Sequence, residues 1–199
     1  AMYYDSNSGI WNGTKFEHEV NKKLVRSKEK YVLINMNIAR FRFVNDIYGR
    51  NKGNEVLKIF AKKLKEIFVQ QDEFYGTLWA DYFVILKKYT NEKEIEILFD
   101  KFVQDFQIEA EKVCSFRFVV KAGAVISDKN KPETFSALLE KANHAVNTIP
   151  DPFESQIIFF NDTMAKEIED LKLVDKNMIQ SFKNQEFQPY YQPKYDINT

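Results

Sequence analysis

Acids and amides interrupt several apolar runs of this 199-residue chain, and these polar side chains are its first candidates for metal binding or catalysis. Asp81 lies within the passage GTLWADYFVIL, residues 76–86, and Asn37 lies within an apolar run that begins at Tyr31. Magnesium prefers hard, anionic oxygen ligands, whereas an asparagine offers a carbonyl oxygen without charge. Asp81 and Asn37 together therefore offer a metal ion only one charged side chain.

Composition and charge argue against several kinds of site and partner. His18 and His144 lie far apart without a cysteine or second histidine nearby, so a zinc site is not expected. Cys114 is the single cysteine, which excludes an intramolecular disulfide and fits a reducing compartment. Basic and acidic residues both number 29, and this balance argues against a nucleic-acid partner. No apolar run reaches transmembrane length, so we expect a cytoplasmic location, with a membrane tether elsewhere in a parent protein left open.

The passage around Asp81 predicts two short strands joined by a turn. Its tip is expected to carry Trp79 and Ala80. Tight hairpins favour glycine or asparagine at the tip, because the backbone there needs positive φ. Phe83 precedes the apolar run VIL and is expected to be a core residue.

Apolar periodicity predicts alternating helices and strands along the chain. Helices are predicted over residues 14–27, 94–108, 132–149 and 162–185, and a helical stripe runs from Val56 to Ile67. Strands are predicted over residues 31–41, on both sides of the hairpin turn, and over 113–127, 155–160 and 187–195. Crossovers between strands and one central hairpin indicate an α/β (α+β) sandwich of ferredoxin-like type over residues 1–160.

Several motifs follow one another in an order that resembles the GGDEF domain, the palm-like fold of diguanylate cyclases. The residues that carry the strand–helix part of the resemblance are Phe41, Asn45, Asp46, Tyr48, Gly49, Gly53, Val56 and Leu57. DSNSGIWN from Asp5, AGAVIS and EKANHAVNTI resemble further motifs of that family. The resemblance assigns residues 1–160 to this domain and implies a central, mostly antiparallel sheet with helices packed around it.

The end of the chain resembles a second family. The stretch from LVDKNM to YYQPK is similar to the helix and first strand that open an EAL phosphodiesterase domain. The Glu-Ala-Leu signature of that family would lie beyond this strand. Residues 161–199 are therefore expected to be a connecting helix and the first strand of a truncated EAL domain, which implies a parent GGDEF–EAL protein.

The family resemblance implies which chemistry to look for. A diguanylate cyclase joins two GTP molecules, and carboxylates hold two divalent ions that neutralise phosphate and activate the attacking 3′-hydroxyl. The metal-binding aspartate falls on Asn37, which stays a candidate nucleotide-binding residue, and a second acid falls on Ala39. The five signature positions fall on Trp79, Ala80, Asp81, Tyr82 and Phe83, so two glycines and a metal-binding glutamate are replaced. Two triphosphate-binding cations fall near Pro150 and Glu154, and no catalytic or metal site is expected.

Other nucleotide positions of the family are only partly retained. The guanine-contacting asparagine falls on Asn45, and its partner aspartate falls on Asn54, whose amide offers one acceptor oxygen. The alternative is structural, with Asn45 and Asp46 in a turn or helix start and Asn54 as a helix cap. The Arg-x-x-Asp inhibitory site for cyclic di-GMP falls near Gln70 and Glu73, where the arginine clamp is lost.

Three functions stay open on the sequence. The first is a catalytically degenerate GGDEF domain that binds GTP, with Mg²⁺ if nucleotide binding survives, and modulates the adjacent EAL phosphodiesterase. The second is an active diguanylate cyclase that uses Asp81 and Asn37 as non-standard metal ligands. The third is a ligand-free dimerisation or scaffold module, in which a homodimer persists after the chemistry is lost.

Overall fold

One mixed sheet of six strands carries the fold in the computed structural model, which describes residues 3–131, 133–187 and 190. The strands are β1 Trp11–Asn12, β2 Tyr31–Ile38, β3 Phe74–Trp79, β4 Tyr82–Lys88, β5 Val120–Ile126 and β6 Gln156–Phe159. The helices are α1 Gly13–Arg26, α2 Phe41–Tyr48, α3 Arg50–Phe68, α4 Glu92–Ala110, α5 Phe135–Asn147 and α6 Asp162–Lys183.

The strand order is β1-β3-β4-β2-β5-β6, with β2 at the centre of the sheet. The three inner pairs, β3–β4, β4–β2 and β2–β5, are antiparallel, and the two outer pairs are parallel. The expected fold class, an α/β sandwich on a mostly antiparallel sheet, is therefore confirmed.

The two faces of β2 explain where the helices pack. Alternate side chains of a strand point to opposite faces. One face carries Val32, Ile34, Met36 and Ile38 against the apolar stripes of α3 and α4. The other face carries Tyr31 and Leu33 against α1 and α5, and Asn35 and Asn37 follow on this same face. The apolar core thus stops where the two asparagines begin.

Phenylalanine rings fill the core on the α3–α4 face. Phe60 stacks on Phe83 at a centroid distance of 4.5 Å and meets Phe102 and Phe106 edge-on at 4.8 and 5.0 Å. Phe83 is 1% exposed, so its prediction as a core residue is confirmed.

Several predicted boundaries are wrong. The strand predicted over 113–127 begins only at Val120. The segment before it forms hydrogen bonds with the Gln107 side chain of α4. The Gln107 amide donates to Phe116 O at 3.0 Å, and its oxygen accepts from Phe118 N at 2.9 Å. The hairpin tip is Ala80–Asp81 rather than Trp79–Ala80, because Trp79 still pairs with Tyr82.

Other differences arise at element ends. The helix predicted from residue 132 begins at Phe135, where Thr134 accepts a hydrogen bond from the backbone of residue 137. The helix predicted from residue 14 begins at Gly13, and Asn12 caps it by accepting from Lys15 N at 3.0 Å. Two short elements, β1 and α2, were not predicted as separate elements; α2 and α3 are separated at Gly49, where φ is 83°.

The chain divides into one unit over residues 1–160 and a second from residue 161. The second unit contains α6, which Asn161 caps by accepting from Met164 N at 3.0 Å. Most of the strand predicted over residues 187–195 lies outside the described residues. Within the described part of the chain, no helix is long and apolar enough to cross a membrane.

Candidate functional site

The β3–β4 hairpin places the five signature positions at one end of the sheet. Ala80 adopts a φ of 45°, a conformation that glycine or asparagine adopts more readily. The Trp79 and Tyr82 rings lie 5.1 Å apart across the last strand pair. The turn therefore has a hairpin shape with an alanine and a large aromatic residue at the two positions where the resemblance implies glycines.

Strand pairing brings Asn37 into a row with two other polar side chains. Asn37 of β2 lies opposite Tyr82 of β4 on one side and opposite Lys121 of β5 on the other. Directly opposed residues in antiparallel strands project to the same face of the sheet. Asn37, Tyr82 and Lys121 thus share the face that α5 covers.

Helix α5 closes this face because β5 has a glycine beneath it. A Cβ atom at Gly123 would lie 2.0 Å from the Ala142 carbonyl oxygen and 2.8 Å from the Val146 side chain. Such contacts exclude any larger residue unless the helix moves away. The close approach brings Asn143 and Asn147, one turn apart on α5, to the row of polar side chains on the sheet.

The result is an open cleft of about 500 Å³. Its lining residues are Asn35, Asn37, Trp79, Tyr82, Lys121, Asn143, Val146, Asn147 and Ile149. Four of these residues are asparagines, and Lys121 alone among them carries charge at neutral pH. The cleft therefore presents amides and one ammonium group, with no carboxylate in its lining.

Two amide oxygens of the cleft are buried without a partner. Asn35 is 2% exposed, and its Nδ2 donates to Asn143 Oδ1 at 2.6 Å. Within the described part of the chain, the Oδ1 atoms of Asn35 and Asn37 accept no hydrogen bond. A buried polar atom without a hydrogen bond costs about 1–3 kcal/mol of stability. A ligand that donated hydrogen bonds to these two oxygens would therefore be bound more tightly.

Asp81, the acid of the hairpin, is not among these lining residues. Burial raises the pKa of the Asp81 carboxyl above its ordinary value, and hydrogen bonds from the backbone N–H groups of Asp81 and Ile38 offset part of that rise. The described residues contain no group of three or more His, Cys, Asp or Glu side chains that could hold a metal ion. The amides, the tyrosine and the lysine therefore do not fit the pair of Mg²⁺ ions that the resemblance implies.

The two positions expected to contact guanine lie on α2 and α3. Asn45 is half-buried inside α2, and its Oδ1 would be 2.0 Å from a Cβ atom at Gly53. Asn54 is exposed within α3. The structural alternative for these residues is wrong, since the residue that precedes α2 is Arg40 and the one that precedes α3 is Gly49.

Glu73, near which the resemblance places the family's inhibitory site, forms hydrogen bonds within the fold. Glu73 accepts from the Lys87 ammonium at 3.1 and 3.3 Å, from Gln70 N at 2.8 Å and from Lys88 N at 3.1 Å. The side chains of Glu73 and Lys87 are 2% and 4% exposed. This carboxylate therefore joins β3 to β4 and is not free for a ligand.

Sequence reasoning located some of the site and missed the rest. It named Asn37, Trp79 and Tyr82, all of which line the cleft, and it missed Asn35, Lys121, Asn143 and Asn147. Asn35 could have been found, because it interrupts the same apolar run two residues before Asn37. Pro150 and Glu154, at the positions of the family's phosphate-binding cations, are both exposed and are not among the lining residues.

Comparison with characterised sequences identifies related proteins. The signaling protein YkoW of Bacillus subtilis is 25% identical over 203 residues, covering 98% of this chain and 25% of that protein. The cyclic di-GMP phosphodiesterase NbdA of Pseudomonas aeruginosa is 23% identical over 197 residues, covering 96% of this chain and 24% of that protein. The chain thus spans about a quarter of the length of these curated relatives.

Solved structures share the fold at low sequence identity. The GGDEF domain of TpbB (YfiN) from Pseudomonas aeruginosa has a TM-score of 0.72 at 17% identity, covering 83% of this chain and 99% of that chain. The S helix–GGDEF–EAL structure of LapD from Vibrio cholerae, bound to cyclic di-GMP, has a TM-score of 0.62 at 15% identity, covering 80% and 37%. The family model described as "Diguanylate cyclase, GGDEF domain" matches residues 2–150. With three quarters of its length matched by that model, the chain belongs to the GGDEF family, the domain family of cyclic di-GMP signalling proteins.

Proposed function

We propose that this GGDEF domain is catalytically degenerate and acts as a regulatory module beside an EAL phosphodiesterase domain in a longer protein. One observation carries the proposal. Asn37 and Tyr82 face each other at positions where the family resemblance expects metal-binding carboxylates. The lining of the cleft around them contains no acid at all.

The chemistry of cyclisation explains why this matters. Joining two GTP molecules requires that the attacking 3′-hydroxyl lose its proton while charge on the α-phosphate is neutralised. Asp81 is the one acid left in the signature, and it accepts hydrogen bonds from backbone N–H groups. An amide and a phenol cannot hold a metal pair as carboxylates do, and a single ammonium group can offset phosphate charge but cannot activate the attacking hydroxyl.

Residual nucleotide binding and a neighbouring enzyme complete the proposal. Asn45 keeps the residue type expected at a guanine contact, and Asn54 retains one acceptor oxygen at the other. The matches to NbdA, named as a phosphodiesterase, and to LapD, which contains an EAL domain, support a parent protein of this architecture. We propose that occupancy is passed on through α6 and that the module works in the cytoplasm, where GTP is present.

Product analysis is the direct test of lost catalysis. The 199-residue chain is incubated with GTP and either Mg²⁺ or Mn²⁺, and the mixture is analysed by chromatography for cyclic di-GMP. We expect none above a protein-free control. Cyclic di-GMP formation that Asp81→Ala abolishes would establish the alternative, an active cyclase with non-standard ligands.

Regulation is tested separately in the parent protein. Hydrolysis of cyclic di-GMP is measured with and without GTP, for the wild type and for the Asn45→Ala variant. A rate that responds to GTP only in the wild type supports the regulatory function. A hydrolysis rate that GTP changes in neither protein argues against the regulatory function.

A second candidate, a scaffold or dimerisation module without ligand, is favoured by one surface. Phe43, Ile47 and Phe153 are 53%, 65% and 58% exposed around one groove. Exposed apolar groups that cluster in this way often mark protein contacts. Light scattering and calorimetry distinguish the two functions. A dimer that is abolished by Phe43→Ser and Ile47→Ser, in a chain that releases no heat on titration with GTP, would favour the scaffold.

A further inference from the structure

The cleft between β2, β4, β5 and α5 has the electrostatic character of an anion site rather than a cation site. Its one charged lining group is Lys121, and its other polar groups are amides, a phenol and an indole. We infer that this cleft holds the ribose–phosphate part of its nucleotide directly, without a divalent cation, and that Lys121 binds the phosphate. The inference rests on the proposed binding of a guanine nucleotide.

Lys121 is positioned by the sheet and is available to a ligand. It lies opposite Asn37 in the β2–β5 pairing and opposite Gln156 in the β5–β6 pairing. Its side chain is half-buried, and no described carboxylate forms an ion pair with it. A partly desolvated ammonium group without a counter-charge attracts an anion more strongly than an exposed lysine does.

The buried amide oxygens add a second requirement for the ligand. The Oδ1 atoms of Asn35 and Asn37 are unpartnered acceptors, and each needs a hydrogen-bond donor. Inorganic phosphate at neutral pH offers mainly acceptors, whereas the hydroxyl groups of a ribose offer donors. A sugar phosphate supplies both kinds of group within one small molecule, which fits a cleft that combines Lys121 with asparagines.

A bound divalent cation would conflict with this arrangement. Proteins hold Mg²⁺ through one or two carboxylates together with substrate phosphates, and the lining supplies no carboxylate. A cation in the cleft would also be repelled by Lys121. Trp79 and Tyr82, with ring centroids 5.1 Å apart, add only aromatic surface to the lining.

Calorimetric titration of the 199-residue chain tests the inference. GTP, guanosine and inorganic triphosphate are each titrated in the presence of either Mg²⁺ or EDTA. The variant is Lys121→Gln, and the matched control is Lys58→Gln, which changes an exposed lysine of α3. Thermal unfolding of both variants checks that the fold is retained.

We expect GTP to bind at least as tightly in EDTA as in Mg²⁺, and guanosine and triphosphate to bind more weakly. Lys121→Gln should weaken GTP binding by about tenfold or more, which is the effect of one lost charge-assisted hydrogen bond. Lys58→Gln should leave the affinity unchanged. A second variant, Asn37→Asp, adds a carboxylate beside Lys121 and should weaken binding in EDTA but make it respond to Mg²⁺.

Four results would overturn the inference. Binding of GTP that requires Mg²⁺, or that Lys121→Gln leaves unchanged, would refute it while leaving the proposed nucleotide binding intact. Equal affinity for guanosine and GTP would show that the phosphate makes no contact. Absence of heat with every probe would refute both the inference and the proposed nucleotide binding.

Discussion

Replacing Lys87 by methionine should destabilise the chain by about 3 kcal/mol, because it leaves the Glu73 carboxylate buried without its counter-charge. The two side chains are 4% and 2% exposed, and the ammonium nitrogen lies 3.1 Å from the nearer carboxylate oxygen. Methionine fills a similar volume, so the change removes the charge and leaves little cavity. The same residue, Glu73, stands at the position of the family's inhibitory acid, so the result also tests its structural role.

The expected magnitude follows from the bonds that remain. Removal of one partner from a buried ion pair typically costs about 3–5 kcal/mol. Glu73 keeps two backbone donors, Gln70 N at 2.8 Å and Lys88 N at 3.1 Å, after Lys87 is changed. These hydrogen bonds continue to stabilise the carboxylate, which places the expected loss at the lower end of that range.

Urea unfolding followed by circular dichroism measures the loss. The matched control is Lys88→Met, because Lys88 is the next residue and pairs with Glu29 at 3.1 Å with side chains 42% and 55% exposed. Exposed pairs contribute about 0–1 kcal/mol, so the control should change stability little. The double variant Glu73→Gln and Lys87→Met should recover much of the loss, since it removes both charges. Equal effects of Lys87→Met and Lys88→Met would refute the argument.

Three further predictions concern the packing and charge of the site. Gly123→Ala should lower the free energy of unfolding by about 3 kcal/mol, because its Cβ would lie 2.0 Å from the Ala142 carbonyl oxygen of α5. A Cβ at Gly13 would make only an ordinary van der Waals contact of 3.4 Å with Leu78, so Gly13→Ala should cost little; urea midpoints check both variants. Gly53→Ala should displace the Asn45 side chain and lower GTP affinity, and calorimetry should find no further loss when Asn45→Ala is added. Asp81→Asn should stabilise the chain near neutral pH, because burial raises the native pKa of this carboxyl and its ionisation then costs stability. Thermal unfolding should show this gain disappearing as the pH falls below 3.8, the ordinary pKa of an aspartate carboxyl, because the carboxyl is then protonated in both the folded and the unfolded chain.

The proposed loss of catalysis and the hairpin geometry are physically compatible. Ala80 adopts a positive φ at the tip, and Phe83 anchors the second strand in the aromatic core. The hairpin is therefore held by strand pairing and by core packing, neither of which requires a metal-binding carboxylate.

The sequence alone determined the fold class and the identity of the groups at the signature positions. Apolar periodicity is a local property, so the core strand from Tyr31 and the helical stripe on α3 could be predicted directly. The amide of Asn37 and the phenol of Tyr82 could likewise be named, because a residue type needs no structure to be known. The boundary of β5 could not be predicted in this way, because Gln107 donates a hydrogen bond to Phe116 O and accepts one from Phe118 N, nine and eleven positions away.

Only the tertiary structure decided which polar groups meet. Lys121 joins Asn37 because of the β2–β5 register, and Asn143 joins Asn35 because α5 lies close against Gly123. These contacts link residues about 80 to 110 positions apart, and no local propensity encodes such pairings. The sequence could therefore name the polar residues of β2 and of the hairpin, but only long-range pairing and packing brought a lysine and four amides together in one cleft.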